Sequence, residues 1–512
     1  MLDLHPAPSR SDDNTEYDVV VVGGGISGLT TAQACLTEHS GDVSRLLLTE
    51  ARDRVGGNLT SKQDSEYLWE EGPTSFQPND AMLKAAVDAG LDKDLVMGDP
   101  KAPRFVFWNK KLRPTPSGPD LVTFDLLSIW GKLRAGLGAA GFKKAPPGQE
   151  ETVEQFVTRN LGVEVFQRLI EPFCSGVYAG DPTKLSIQAA FGKVYDLERT
   201  GGSIFGGVIK LLQERRKNPP PPRDSRLPPK PKGQTVSSFR KGLQSLPEAM
   251  ALKMKDNIRT KWELQEIERA DTGFRLTYRT PEGIRDIKAR CVALTVPAYV
   301  AADLLRRDCP DASAGLKSID YPPVAAVSLA YPMSAILQDR LDQQGNLPGF
   351  GQLHPRTQGI TTLGTIYSSS LFPNRAPPGW QQLLCYIGGA LNRGIVDQGE
   401  ERIIAQVDKD LRQMLLKPDA PKPKKIGLRI WPKAIPQFNL AHVEVVQGAQ
   451  EDLDLAGYEG VLLGGNYVSG VALGKCVEYG YEYANKIAKY LQSKVEAATV
   501  PSQQEQDEAF FV

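Results

Sequence analysis

Gly23-Gly24-Gly25-Ile26-Ser27-Gly28 fits a GxGxxG spacing through Gly23, Gly25 and Gly28. Glycine at these places allows a tight turn and lets backbone come close to a pyrophosphate. A helix opening there would aim free N–H groups and the positive end of its dipole at the phosphates. Glu50 stands 22 residues after Gly28, the separation at which a carboxylate reaches a ribose hydroxyl. The implied chemistry is redox chemistry on a bound dinucleotide, with nicotinamide and flavin both open at this point. Just beyond, Arg52 or Arg54 can neutralise phosphate, and Gly56-Gly57 gives backbone a close approach.

The elements that must hold these residues can be read around them. Asp18-Val19-Val20-Val21-Val22 is a compact apolar run ending in glycines, the pattern of a buried parallel strand, so ordered structure is expected from Tyr17. Ser27 to His39 reads as a helix and Arg45 to Thr49 as a second strand, which makes a βαβ start. Thr152 to Phe173 carries helical apolar spacing, and Lys193 to Lys217 mixes Gly-rich turns with another helix. The prolines between Pro219 and Pro231 exclude helix or central strand, and 218–232 is expected to be an exposed loop. Leu264–Glu268, Phe274–Thr280 and Ile284–Arg290 read as strands, and Cys291 to Pro297 as a further buried strand. Val461 to Leu463 is a short strand running into Gly464-Gly465-Asn466. A helix from about Gly470 to Lys494 follows, then a polar tail from Val495.

Composition narrows the partners. The chain has 512 residues, enough for two to four domains at roughly 150 residues each. Lys plus Arg and Asp plus Glu are both 61, so no cation surplus exists to drive nucleic-acid binding. The cysteines (Cys35, Cys174, Cys291, Cys309, Cys385, Cys476) form no CxxC, and the four histidines form no HxxH, so no metal site is expected. No apolar run reaches the ~18 residues that span a bilayer. The first sixteen residues read as a disordered lead, compatible with what remains after removal of a transit peptide.

Glu50-Ala51-Arg52-Asp53-Arg54-Val55-Gly56-Gly57-Asn58 resembles the extended fingerprint of the flavin amine oxidase and phytoene desaturase superfamily. So does Leu462-Leu463-Gly464-Gly465-Asn466-Tyr467 followed by Gly470-Val471-Ala472-Leu473-Gly474. The strand Cys291 to Pro297 resembles the superfamily's return strand. The resemblance implies FAD as cofactor. It assigns Gly23, Gly25, Ile26, Ser27, Gly28, Glu50, Ala51, Arg52, Gly56, Gly57 and Asn58 to FAD, with Gly72, Pro73, Thr74, Ser75, Gly465, Asn466, Val471, Ala472 and Leu473. A helix starting near Gly470 would place its positive end near the flavin pyrimidine edge. The implied fold is α/β plus α+β: a Rossmann-like discontinuous FAD-binding domain, an inserted substrate-binding domain and a mainly helical membrane-associated domain. FAD segments are expected at 17–95, 236–300 and 441–494, the helical region at 96–235 and the substrate domain at 301–440.

Within the superfamily, four stretches resemble the protoporphyrinogen IX oxidase family, its plastid-type branch above all. They are Tyr67 to Pro73, Ala102 to Phe105, Leu169 to Pro182 and Thr362 to Ser369. The resemblance covers about Tyr17 to Leu491. It implies that Arg104 pairs with a substrate propionate, and that Gly176 turns its carbonyl to a pyrrole N–H. Leu353 and Ile366 would sandwich one pyrrole ring, and Tyr386 would stack on another. Where many members read Gly-Pro-Asn-Ser, this chain has Gly72-Pro73-Thr74-Ser75, which leaves the role of Thr74 open. The implied reaction removes six electrons from protoporphyrinogen IX, with FAD as sink, O₂ as oxidant and H₂O₂ as product. No catalytic side chain is assigned.

An apolar substrate suggests peripheral membrane contact. Leu121 to Lys144 carries Leu126, Leu127, Ile129, Trp130, Leu133, Leu137 and Phe142 with Lys132, Arg134, Lys143 and Lys144. It reads either as a membrane-surface patch or as an amphipathic helix packed on the core. The resemblance implies a plastid, with a bacterial cytoplasmic membrane surface as the alternative; a homodimer stays open. The competing readings are an amine oxidase, a carotenoid desaturase and a non-catalytic tetrapyrrole carrier.

Overall fold

The computed structural model describes residues 15–116, 124–146, 148–219, 222–229, 233 and 235–499. Most of the expected lead, part of the Pro-rich loop, residues 121–123 of the expected surface patch and most of the polar tail lie outside them. The chain divides into two compact units. The first holds the residues up to Asn58, Leu246–Ser318 and those from Val445 onward; the second holds Leu59–Ser245 and Ile319–Glu444.

The first unit is built on a seven-stranded sheet. Glu16–Val22 runs parallel to Leu46–Glu50 on one side and to the end of Gly283–Leu294 on the other. Ile258–Thr260 and Val461–Leu463 extend the parallel part at its two edges. Val19, Val20 and Val21 have no solvent exposure, as a strand covered on both faces demands. The Ile26–Glu38 helix and the Leu473–Thr499 helix pack closely: a Cβ on Gly480 would stand 2.6 Å from Thr30 Cβ. Glu263–Arg269 and Phe274–Thr280 add an antiparallel meander.

Several boundaries differ from expectation. Strand order begins one residue early, at Glu16. The two strands expected over 284–297 are one twelve-residue strand, Gly283–Leu294, whose first half pairs in the meander and whose second half enters the parallel sheet. The C-terminal helix starts at Leu473 rather than Gly470. Gly470 has φ +104°, a conformation no helix contains, and a four-residue turn, Asn466–Ser469, precedes it. The helix also continues through Val495 to Thr499. Residues 59–95, expected with the FAD segments, belong to the second unit, where Leu68–Glu70 pairs with Ser61–Gln63.

The second unit carries its own seven-stranded sheet, in the order Lys424–Trp431, Val324–Pro332, Trp380–Gly388, Gly364–Ile366, Gly351–Leu353, Arg104–Trp108, Lys111–Pro114. One face is core. Val327, Leu329, Leu383, Cys385, Ile387 and Phe107 pack with Ile403, Val407, Leu411 and Met414 of the Glu400–Met414 helix. The helical stretch is part of this unit. Thr152 to Phe173 is not one helix: Gly162, at φ +93°, ends Val153–Asn160, and a π-helical turn over Phe166–Ile170 leads into Glu171–Tyr178.

Candidate active site

In the first unit the glycine turn has the shape that a pyrophosphate needs. Gly23 sits at φ +110°, reserved for glycine. A Cβ on Gly28 would collide with Gly23 O and stand 2.6 Å from Thr295 Oγ1, so the helix can approach the strand end only with glycine there. Gly25 is the N-cap of Ile26–Glu38, with no side-chain cap, and a Cβ on it would meet nothing within 4 Å. Its neighbourhood is thus an open cradle at a helix N-terminus whose first N–H groups need acceptors. Thr295 Oγ1 donates to Val22 O at 2.9 Å and to Gly23 O at 3.0 Å, pinning the turn from below.

Glu50 ends the second strand. Its Oε2 accepts from Gly24 N at 2.8 Å and its Oε1 from Arg52 N at 2.9 Å. The carboxylate is therefore fixed beside the glycine turn. Gly56 N donates to Gly24 O at 2.7 Å, which folds the 52–57 loop over the turn. Arg52 Nη1 and Arg54 Nη2 both donate to Gly57 O, at 3.3 and 3.0 Å. Ile26 and Ser27 are buried in the first helical turn, while Ala51 and Asn58 are exposed on this loop. Gly465, at φ +98°, lies over the Thr295 and Val296 carbonyls, so the second glycine segment meets the end of the Gly283–Leu294 strand. Asn466 opens the short turn, and Val471 and Ala472 precede the long helix, where Ala472 O accepts from Lys475 N at 2.8 Å. The donor set, the open cradle and the fixed carboxylate fit the diphosphate and ribose of FAD.

The other expected residues fall in the second unit, and strand register brings most of them onto one face. Arg104 is opposite Gly351, and Gly351 is opposite Ile366. Leu353 is opposite Gly364, and Gly364 is opposite Tyr386. Residues opposite one another, and those two apart on a strand, point the same way. Arg104, Leu353, Ile366 and Tyr386 therefore share the face turned away from the core, and all four are half-buried. Gly364 puts no side chain between Leu353 and Tyr386; a Cβ there would stand 3.5 Å from Leu353 Cδ2. Gly176 faces Leu353, whose Cδ2 would stand 2.6 Å from a Cβ on that glycine.

The guanidinium of Arg104 lies 5.4 Å from the Phe350 ring centre. Loss of solvent pushes its pKa down, so an incoming carboxylate would be strongly favoured beside it. Tyr386 OH donates to Gly72 O at 2.9 Å, which orients the ring and ties the Gly72–Ser75 turn to the sheet. Burial raises the Tyr386 pKa, so the phenol stays protonated and a donor. Gly72, Pro73, Thr74 and Ser75, expected at the cofactor, belong to the second unit with Arg104, Leu353, Ile366 and Tyr386.

Sequence reasoning missed Phe350 and Thr295. Thr295 lay inside the Cys291 to Pro297 strand without a role, whereas nothing local marked Phe350.

A family model described as flavin containing amine oxidoreductase matches residues 26–488. The chloroplastic protoporphyrinogen oxidase of Oryza sativa subsp. japonica is 58% identical over 95% of this chain and 90% of its own length. Protoporphyrinogen oxidase 1, chloroplastic, of Arabidopsis thaliana is 56% identical over 93% of this chain and 88% of its own. Among solved structures, cyclohexylamine oxidase from Brevibacterium oxydans IH-35A superposes with TM-score 0.61 at 17% identity, over 93% of this chain and all (100%) of that one, a likeness of fold alone.

Proposed function

This chain belongs to the flavin containing amine oxidoreductase family, and from that membership we propose that it oxidises protoporphyrinogen IX to protoporphyrin IX. The observation that carries the reading is the single face shared by Arg104, Leu353, Ile366 and Tyr386 in a chain so similar to plastid protoporphyrinogen oxidases. When bound, FAD supplies a two-electron acceptor, so the six electrons leave in three turns. With O₂ as terminal oxidant, one substrate and three O₂ give one porphyrin and three H₂O₂.

The protein's task is binding and orientation. The Arg104 fork takes one propionate, a planar partner for a planar anion. Leu353 and Ile366 flank one ring, and the Tyr386 ring, held by its bond to Gly72 O, stacks on another. The Gly176 backbone approaches because no side chain stands between it and Leu353. Thr74, in the turn held by Tyr386, takes the place of the family's usual Asn.

Two further features support a peripheral membrane site in a plastid. The Oryza and Arabidopsis relatives at 58% and 56% identity are chloroplastic, and the helices of the second unit expose apolar side chains. Trp130 is 80% and Phe142 76% exposed, and Ile129, Leu133 and Leu137 are exposed too. Only Gly138 and Ala139 of the Ile129–Ala139 helix are buried, which argues against core packing of its apolar side chains. Gly141 lies against Ser203, so the Ile204–Lys217 helix adds Phe205, Ile209 and Leu212 nearby, with Arg215, Arg216 and Lys217 at its end. Basic residues beside exposed apolar ones suit an anionic lipid surface. Among the described residues no helix is long and apolar enough to cross a membrane.

The test is aerobic conversion of protoporphyrinogen IX by the purified flavoprotein, read as porphyrin fluorescence together with H₂O₂. Three H₂O₂ per porphyrin is the expected yield. A rate no higher than autoxidation would remove the proposal.

A further inference from the structure

A buried ion pair lies behind the Gly72–Ser75 turn. Glu70, the last residue of its strand, is 5% exposed and Arg375 is 2% exposed. Arg375 Nη2 stands 4.0 Å from Glu70 Oε1. The carboxylate also accepts from Ser61 Oγ at 2.6 Å and Leu243 N at 2.9 Å. Arg375 Nη2 donates to Ser238 Oγ and Phe239 O, both at 3.2 Å, while Nη1 is buried without a hydrogen-bond partner. Arg375 O accepts from Leu68 N at 3.4 Å. The 242 turn closes on the pair only because Gly242 is at φ +93°; a Cβ there would run into Ser61 Oγ and stand 3.0 Å from Glu70 Oε1. The pair therefore clamps the 61–70 hairpin to 238–243 and to the segment ending at 375.

What the clamp leads to is the substrate wall. One residue beyond Glu70, Glu71 O accepts from Trp431 Nε1 at 2.6 Å; the next, Gly72 O, accepts from Tyr386 OH. Glu70 and Arg375 line a small cavity with Thr74 and Ile366. Buried ion pairs repay little or none of their desolvation as stability, so what this one contributes is the geometry it holds between the hairpin, 238–243 and the segment ending at 375.

We propose that the Glu70–Arg375 pair positions the Gly72–Ser75 turn, and through it Tyr386 and Ile366, for tetrapyrrole binding. Both are positioning residues that act through their neighbours. The inference rests on the reading of the Arg104–Tyr386 face as the substrate wall. Steady-state kinetics, bound flavin and Tm on Glu70→Gln, Arg375→Gln, the double variant and Glu70→Asp test it. Each single Gln variant breaks the clamp, Glu70→Gln by leaving the buried Arg375 charge uncompensated and Arg375→Gln by leaving a buried carboxyl without its cation. It should raise KM for protoporphyrinogen by about tenfold or more, with kcat within about threefold and flavin content unchanged. The double variant, with neither charge, should return KM to within about threefold of wild type. Glu70→Asp keeps the charge but draws the clamp in by one methylene, so KM should rise while Tm changes little. Single Gln variants that bind substrate like wild type, or a double variant whose KM rise is the product of the two, would overturn the inference. If the single Gln variants do not fold, an unchanged KM in Glu70→Asp overturns it. Wild-type protein without turnover faults the substrate reading instead; wild-type turnover with unaltered variants faults only the pair.

Discussion

Arg104 concentrates the polar part of the proposed recognition in one fork, held over the Phe350 ring and partly stripped of water. Charge-assisted hydrogen bonds of this kind contribute on the order of 1.5–3 kcal/mol. Arg104→Ala is therefore expected to raise KM about 10- to 100-fold at little cost to flavin content. Arg104→Lys should fall between, because an ammonium keeps the charge and loses the fork. Unchanged Michaelis kinetics in both would reject the propionate role. Glu70 makes a second prediction. Burial, stronger than its hydrogen bonds and the Arg375 charge together, pushes its pKa from 4.5 up to about 7. A carboxyl with a raised folded-state pKa favours folding while both states are protonated, below about 4.5, and loses that contribution as pH rises through 7. The loss is on the order of 3 kcal/mol. Unfolding at pH 4.5 to 8 should show this slope in the wild type and its absence in Glu70→Gln. Equal slopes would contradict it.

The glycine turn separates two roles along one element. Gly25 has an extended backbone, φ −71° and ψ 173°, and open space where a Cβ would go. Gly25→Ala should leave the flavin-free fold at wild-type stability and abolish flavin binding, seen as loss of the yellow absorbance. Gly28→Ala, whose Cβ meets Gly23 O and Thr295 Oγ1, should cost stability as well, about 1–3 kcal/mol for an overpacked site. Equal Tm for the two flavin-free variants would contradict the division. This turn was legible in the sequence because its strand, its glycines and Glu50 are local signals. The proposed substrate residues were legible only by family likeness; their common face depends on register across four strands. Arg375 was invisible, since an arginine that ends buried carries no local mark. Gly162 and Gly470 misled the helix boundaries, because apolar spacing continues through a residue whose positive φ breaks the helix.

At the scale of the whole molecule, one unit carries the features of a dinucleotide site and the other those of an apolar ring site. A chain with equal numbers of acidic and basic residues would meet lipid through a local patch, not through net charge. Sedimentation with vesicles should show binding to anionic lipid that falls when Trp130 and Phe142 are both replaced by Glu, with turnover in detergent unchanged. Equal binding would remove the patch from the account. The most direct measurement of the central claim mixes the purified flavoprotein with protoporphyrinogen IX in air and follows porphyrin fluorescence. The account predicts saturable, flavin-dependent porphyrin formation that Arg104→Ala shifts to higher substrate concentration. A rise no faster than autoxidation would contradict it.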